Sequence, residues 1–310
     1  MSGPLVSVVI PTHNRNSLLV RAVKSVLAQI YSPCEVIVVD DCGNAELILQ
    51  DFGDRVHYIR IPQTPYPAES RNAGMKNAHG KYIAFLDDDD IWFPEKLSRQ
   101  VEVLEENPDI GLVCSNGYVE QNYGRKMLYL NRNVKNKKNM LNQEIMRDFV
   151  VTSSCVIRAS LLEVTGNYYV GADLQICEDY DFSARFAAIS RIWFDPQPSF
   201  QYTINPESVQ CRESKSYVKY HRSVLTVLRR LKLFLQKTRR ITVTSRILLC
   251  CRIQSAKCDV ILNRIAYESA SCTRGDYLRL FILYFYLFPF AVPKILKYLA
   301  TRIEYRERSM

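Results

Sequence analysis

Residues 82–92 read Tyr-Ile-Ala-Phe-Leu-Asp-Asp-Asp-Asp-Ile-Trp: five mostly apolar residues, then four aspartates without a gap. The apolar run is a buried strand. Four carboxylates cannot follow it into a core, because desolvating unpaired charge is too costly. The acids must stand where the strand ends and a loop begins. Adjacent like charges raise one another's pKa, so so dense a cluster needs water or a cation around it. Oxygen ligands on a loop suit a hard ion, Mg2+ or Mn2+, which also bridges phosphates. The plainer alternative is a solvated acidic turn ahead of a helix starting near Pro94, with Asp90 as that helix's cap.

The rest of the first two hundred residues gives this strand its company. Leu5–Ile10 is β-branched and almost continuously apolar, as a strand buried on both faces is. Pro11 ends it, and a polar loop leads to helical spacing at Leu18, Leu19, Ala22, Val23, Val26 and Leu27. Glu35–Val39 is a second buried strand, closed by Asp40 and Asp41. Val56–Ile61 is a third, and helices are expected over Glu69–Ala78 and Pro94–Glu106. Ile110–Asn116 and Val150–Ile157 read as further strands, with a short helix over Leu141–Phe149 between them and a turn of helix at Ser160–Val164 that Gly166 ends. Glu178 opens a helix to about Ile189, and Arg191–Phe194 and Phe200–Ile204 read as two closing strands. Alternating strands and helices specify an α/β fold with a mostly parallel sheet. In such a sheet the acids after Val39 and after Leu86 share the carboxyl edge, where open α/β sheets bind ligands.

Composition narrows the class. With 310 residues and 47% hydrophobic content, the chain can form one large domain, or one domain with an appendage. Ten cysteines and four histidines show no metal-binding spacing, so a zinc site is excluded. Several cysteines lie in apolar runs, as Cys114 and Cys155 do, and the cysteines read as small buried hydrophobes of a reducing cytosol. Residues 1–5 lack the features of a signal peptide.

The net charge of +9 is unevenly placed. Tyr123–Lys138 is a basic, Asn-rich stretch expected to be a loop. From Tyr217 onward helical patterns dominate and basic residues far outnumber acids. Leu280–Val292 is apolar and aromatic but shorter than the ~20 residues that span a bilayer. A basic segment with such a face is expected to lie in a membrane interface, with packing on the catalytic domain or on a second copy as the alternative.

Taken together, Val8–Arg15, Val38–Asp41, Ser70–Gly74, Phe85–Asp90 and Glu178–Asp181 resemble, in order and spacing, the family 2 glycosyltransferases of the GT-A fold. The resemblance covers about residues 4–205 and implies a GT-A domain over residues 1–215; residues 216–310 match no shared motif, and their basic, partly apolar helical pattern is what points to a membrane-associated region. It implies inverting transfer from a nucleotide sugar, usually a UDP-sugar, to a glycan hydroxyl. Pro11, Thr12 and Asn14 would line the nucleotide site, Asp41 would bind the uracil, Asp40 would support that turn, and Arg71 would approach the base or phosphates. Asp87 and Asp88 would sit near ribose and metal, and Asp89 would be the principal ligand of Mn2+ or Mg2+. The register is Asp87 with Asp89, or Asp88 with Asp89. Asp179 would be the base, with Glu178 beside it. Bacterial members extend undecaprenyl-diphosphate-linked glycans in surface polysaccharides such as O-antigen or capsule, which implies a peripheral position on the inner face of the plasma membrane.

Other classes fit less well. A nucleotidyltransferase or a dinucleotide oxidoreductase would want a glycine-rich phosphate loop, and Pro11-Thr12-His13-Asn14 stands in its place. A nucleic-acid module would interleave aromatics with Arg229-Arg230 and Arg239-Arg240, whereas the aromatics gather at 281–290, so no nucleic-acid partner is expected. A non-catalytic scaffold would have lost motif positions, and none is lost.

Overall fold

The computed structural model describes residues 3–64, 66–121, 125–128, 134, 136, 140–174, 176–203 and 217–267. The chain divides into two compact units, Met1–Pro206 and Glu207–Met310.

The first unit is built on one nine-stranded sheet with helices packed against it. β1 (Val6–Thr12) lies between β2 (Cys34–Asp41) and β4 (Tyr82–Phe85), parallel to both, and β3 (Val56–Ile61) adds to β2, again parallel. The order is β3-β2-β1-β4, with the crossovers between these parallel strands made through α1 (Asn16–Leu27), α2 (Glu46–Leu49) and α3 (Pro67–Lys76). Because the three strands run one way, the residues after β1, β2 and β4 emerge on one edge. α1 buries Leu19, Ala22, Val23 and Val26, the stripe its spacing predicts. α3 lies tight on β1: a Cβ on Gly74 would stand 2.3 Å from Val9 Cγ1, so only glycine permits that approach.

Beyond β4 the sheet becomes mixed. β8 (Val156–Arg158) is antiparallel to β4 and to β6 (Ile110–Gln121), and β9 (Arg191–Tyr202) is parallel to β6. β5 (Ile91–Trp92) pairs with β9, and β7 (Arg125–Leu128) with β6. α4 (Lys96–Glu106), α5 (Leu141–Met146), α6 (Leu162–Thr165) and α7 (Glu178–Ile189) complete this unit.

Several expectations are corrected here. The two closing strands are one: β9 runs through Pro196 and Pro198, and its register on β6 slips between Ser115 and Gly117. The prolines lack ladder donors, so the strand bulges without breaking. Val150–Ile157 is not one strand, since Thr152–Ser154 is a 3-10 turn before β8. β6 continues five residues past Asn116. Most of the expected loop over Tyr123–Lys138 lies outside the described residues, and Arg125–Leu128 within it is strand β7. Gly166 does close α6, with φ +71°.

The second unit contains α8 (Tyr217–Lys237) and α9 (Val243–Tyr267). Among the described residues no helix is long and apolar enough to cross a membrane. Leu280–Val292, the segment expected at a membrane interface, lies outside the described residues.

Candidate active site

β4 stops at Phe85, and Leu86 N still donates to Val9 O at 3.1 Å before the acids turn away from the sheet. The four aspartates then alternate. Asp87 and Asp89 keep 31% and 12% of their side-chain surface, whereas Asp88 keeps 5% and Asp90 is almost fully buried. Asp88 and Asp89 form a turn, closed by Asp90 N donating to Asp87 O at 3.1 Å, and this turn sends the four side chains into different surroundings.

Each inward carboxylate has a structural partner. Asp88 Oδ2 accepts from Thr12 Oγ1 at 2.8 Å, and its Oδ1 from Arg15 Nη1 at 2.9 Å. Asp90 Oδ1 accepts from Thr203 N at 2.9 Å, which ties the end of β9 to the acid loop. Asp90 does not cap the next helix: α4 begins at Lys96 behind Glu95 and has no side-chain cap. Burial, with Asp87 nearby, holds the Asp90 carboxyl well above the usual range.

The outward pair is less completely neutralised. Asp87 Oδ1 accepts from Arg71 Nη2 at 2.7 Å. Asp89 Oδ2 accepts from Arg15 Nη1 at 3.0 Å, the same nitrogen that holds Asp88. One guanidinium thus serves two carboxylates. Burial and the negative charges of Asp87 and Asp88 push Asp89 up to about 6 despite Arg15. Such an excess of negative charge, on two aspartates that keep some exposure, is of the kind that would suit a hard divalent ion. Among the described residues no three ligating side chains converge into a ready-made cage.

Arg71 joins this loop to the far carboxylates. It is buried on α3, and its Nη1 donates to Glu178 Oε1 at 2.9 Å while Nη2 holds Asp87. Its guanidinium carbon lies 5.5 Å from the Tyr168 ring centre. Tyr168 stacks on Phe182 with centroids 4.0 Å apart and meets Phe85 edge-on. Asn72, next on α3, holds the Tyr168 backbone through both its amide atoms at 2.9 Å. The guanidinium is therefore committed to two carboxylates and an aromatic wall.

Glu178 and Asp179 form the first turn of α7. Asp179 is partly accessible, and its Oδ1 accepts from Tyr180 N at 2.8 Å. A helix N-terminus ordinarily favours the ionised acid. Here burial, then Glu178 and Asp148, outweigh that and hold the Asp179 carboxyl well above the usual range. Glu144 on α5 is buried behind this turn, where its Oε1 accepts from Ser183 Oγ, one helical turn beyond Asp179. Burial pushes the Glu144 carboxyl up as well.

At the end of β2, Asp40 faces inward. Its Oδ1 accepts from Gly43 N, and its Oδ2 from Ala45 N and Tyr58 Oη, each at 2.9 Å. Both oxygens are committed to the turn, so Asp40→Ala orphans two buried backbone donors and the part-buried Tyr58 hydroxyl. The expected cost is on the order of 3 kcal/mol, read as a lower urea midpoint. Asp41 points the other way, held by Thr64 N at 2.7 Å and Thr64 Oγ1 at 3.3 Å, and its carbonyl oxygen lies 2.5 Å from His13 Nδ1. Pro11 does not end β1 as expected: the strand runs through it, half-buried, to Thr12, and Asn14 is exposed with φ +53°. Polar contacts therefore link Asp41 to the Pro11–Arg15 loop, that loop to Asp88 and Asp89, and Asp87 through Arg71 to Glu178, the neighbour of Asp179.

Sequence reasoning assigned no role to Arg15, Glu144, Asp148 or Tyr168. Arg15 had a signal, because four adjacent carboxylates require cations and it stands beside the polar loop. The other three act through burial, which no local pattern announces.

A parallel sheet with acid-bearing loops on its carboxyl edge, continued by a mixed half, is the GT-A architecture of nucleotide-sugar transferases. The Glycosyl transferase family 2 model matches residues 7–166, and the chain belongs to that family. An uncharacterized glycosyltransferase of Rickettsia prowazekii, RP339, is 29% identical over 201 residues, which cover 62% of each protein. The chain thus spans about three fifths of that relative's length. The putative colanic acid biosynthesis glycosyl transferase WcaA of Escherichia coli is 37% identical over 125 residues, 39% of this chain and 45% of WcaA. Among solved structures, Staphylococcus aureus TarS 1-349 in complex with UDP-GlcNAc superposes with TM-score 0.55 at 16% identity, over 85% of this chain and 81% of that one. The mannosyltransferase PcManGT of Pyrobaculum calidifontis, in complex with GDP-Man and Mn2+, gives 0.57 at 16% identity, over 97% and 86%.

Proposed function

We propose that this chain transfers a sugar, with inversion, from a UDP-sugar to a glycan hydroxyl during synthesis of a bacterial surface polysaccharide. The observation that carries the reading is the alternation through Asp87–Asp90, which leaves Asp87 and Asp89 open beside the Arg71–Glu178–Asp179 chain. It supports the Asp87/Asp89 register for the metal, since Asp88 is already held by Thr12 and Arg15. Asp89, with Asp87, would hold Mn2+ or Mg2+. Bound there, the ion would neutralise charge developing on the departing diphosphate.

The other roles belong to side chains of this chain. Asp41 accepts from the uracil, and Pro11, Thr12 and Asn14 line the nucleotide. Asp40 acts through the turn it holds. Arg71 fixes the spacing between the acid loop and α7. Asp179 takes the proton of the acceptor hydroxyl as it attacks the anomeric carbon, and its raised affinity for protons favours that transfer. Glu178 keeps Asp179 basic. The name of WcaA supports a polysaccharide setting, and the TarS and PcManGT complexes support a nucleotide-sugar donor with a divalent ion. An acceptor carried on undecaprenyl diphosphate would place the enzyme on the inner face of the plasma membrane, with residues 1–215 catalytic and residues 216–310 at the lipid surface.

The test is a panel of UDP-sugars and GDP-mannose with Mn2+ or Mg2+ and lipid-diphosphate glycan acceptors, followed by mass spectrometry. Release of a nucleoside diphosphate together with a glycosylated acceptor is expected. Release of inorganic diphosphate would mean nucleotidyl transfer instead.

A further inference from the structure

The second unit carries a surface that the chemistry above does not use. His221 Nδ1, near the start of α8, lies 3.8 Å from Asp259 Oδ2, well along α9. The two helices are thus an antiparallel hairpin with its tip near residue 240. The tip is built by capping. Thr238 N donates to Phe234 O and Arg240 N to Leu235 O, each at 2.9 Å, and Arg239 takes φ +56°, the left-handed residue that closes many helices. Thr242 and Ser245 cap α9 reciprocally: Ser245 N donates to Thr242 Oγ1 at 3.1 Å and Thr242 N to Ser245 Oγ at 2.9 Å.

This defined tip exposes aliphatic side chains. Leu233, Val243 and Ile247 are 65%, 77% and 58% exposed. The pairing of residues 221 and 259 sets 233 level with 247, and 237 level with 243. Val243 and Ile247 lie one turn apart on α9, so they share a face. Around them stand exposed Lys237 and Arg246. Residues 217–258 contain eleven Lys and Arg and no Asp or Glu.

We propose that the tip of the α8/α9 hairpin docks on an anionic lipid surface, with Leu233, Val243 and Ile247 entering the headgroup boundary and Lys237 and Arg246 facing lipid phosphates. The inference rests on the membrane-borne acceptor proposed above and moves the lipid contact from residues 280–292 to the hairpin. Charge chooses the occupant. A second copy would bring an equally basic tip and repel. Nucleic acid would be met by stacking aromatics, and the exposed apolar side chains here are aliphatic, which insert among lipids but do not stack on bases. Polybasic surfaces with inserted apolar side chains bind anionic bilayers by both terms together.

The test uses the full-length protein and vesicles of phosphatidylcholine with and without phosphatidylglycerol, read by co-sedimentation. Binding is expected only with phosphatidylglycerol. Lys237→Gln with Arg246→Gln should weaken it about 30-fold and flatten its salt dependence. Leu233→Ser with Val243→Ser and Ile247→Ser should weaken it about 10-fold or more. Both variants should transfer sugar to a detergent-dispersed acceptor at the native rate, so lost transfer in the native protein would count against the proposed function and not against the tip. Native sedimentation of both variants would overturn the proposal. So would binding to RNA or DNA that the charge variant loses while vesicle binding survives.

Discussion

Replacing Asp179 with asparagine is expected to lower the turnover for sugar transfer by about 10³-fold while leaving donor binding close to native, because a positioned general base contributes roughly 10²–10⁴ in rate. Asparagine keeps the shape and the bond from Tyr180 N but cannot accept the proton. The pH dependence supplies a second readout. As the proposed base, Asp179 would work only when ionised, so turnover should fall as pH drops through its pKa. That limb should lie above the usual carboxylate range, because burial, Glu178 and Asp148 raise it. Asp148→Asn removes one of those charges and should move the limb to lower pH. Full activity in the Asp179 variant would mean that the base lies elsewhere.

The second large effect is at Arg71. Arg71→Met removes the cation shared by Asp87 and Glu178 and leaves Glu178 buried and unpaired. Breaking a buried pair on one side costs about 3–5 kcal/mol, read as a fall in the urea midpoint. The sign with pH follows from ionisation. The deficit is greatest where both carboxylates are charged and shrinks as pH falls and Glu178 takes up a proton. Burial already raises Glu178, and losing Arg71, which opposes that rise, should widen the window. Lysine should rescue only in part, since one ammonium cannot fork to two carboxylates as a guanidinium does. A stable Arg71→Met protein with native activity would show that the bridge is dispensable.

Legibility differed by the range of the interactions. β1, β2, β3 and the helix from Glu178 were readable because apolar runs and capping acids act within a few residues. β9 was misread as two strands because Pro196 and Pro198 look like a break, and only pairing to β6 carries the strand past them. β5 was missed because two residues carry no periodicity. In the candidate site, the acids were visible as residue types, but their orientation was not.

By itself the sequence determined the α/β class, the four parallel strands β1–β4 and the placing of Asp41 and Asp87–Asp90 at strand ends, because hydrophobic period and the cost of burying charge are local properties. Only the tertiary structure decided which carboxylates face out. Asp40, Asp88 and Asp90 turn inward because Tyr58, Thr12, Arg15 and Thr203, some 18 to 113 residues away, meet them there. The same holds for Arg71, whose partners lie 16 and 107 residues along the chain, one in the acid loop and one at the start of α7. A charge is assigned its partner by the fold, since Coulomb attraction depends on distance in space and not along the chain.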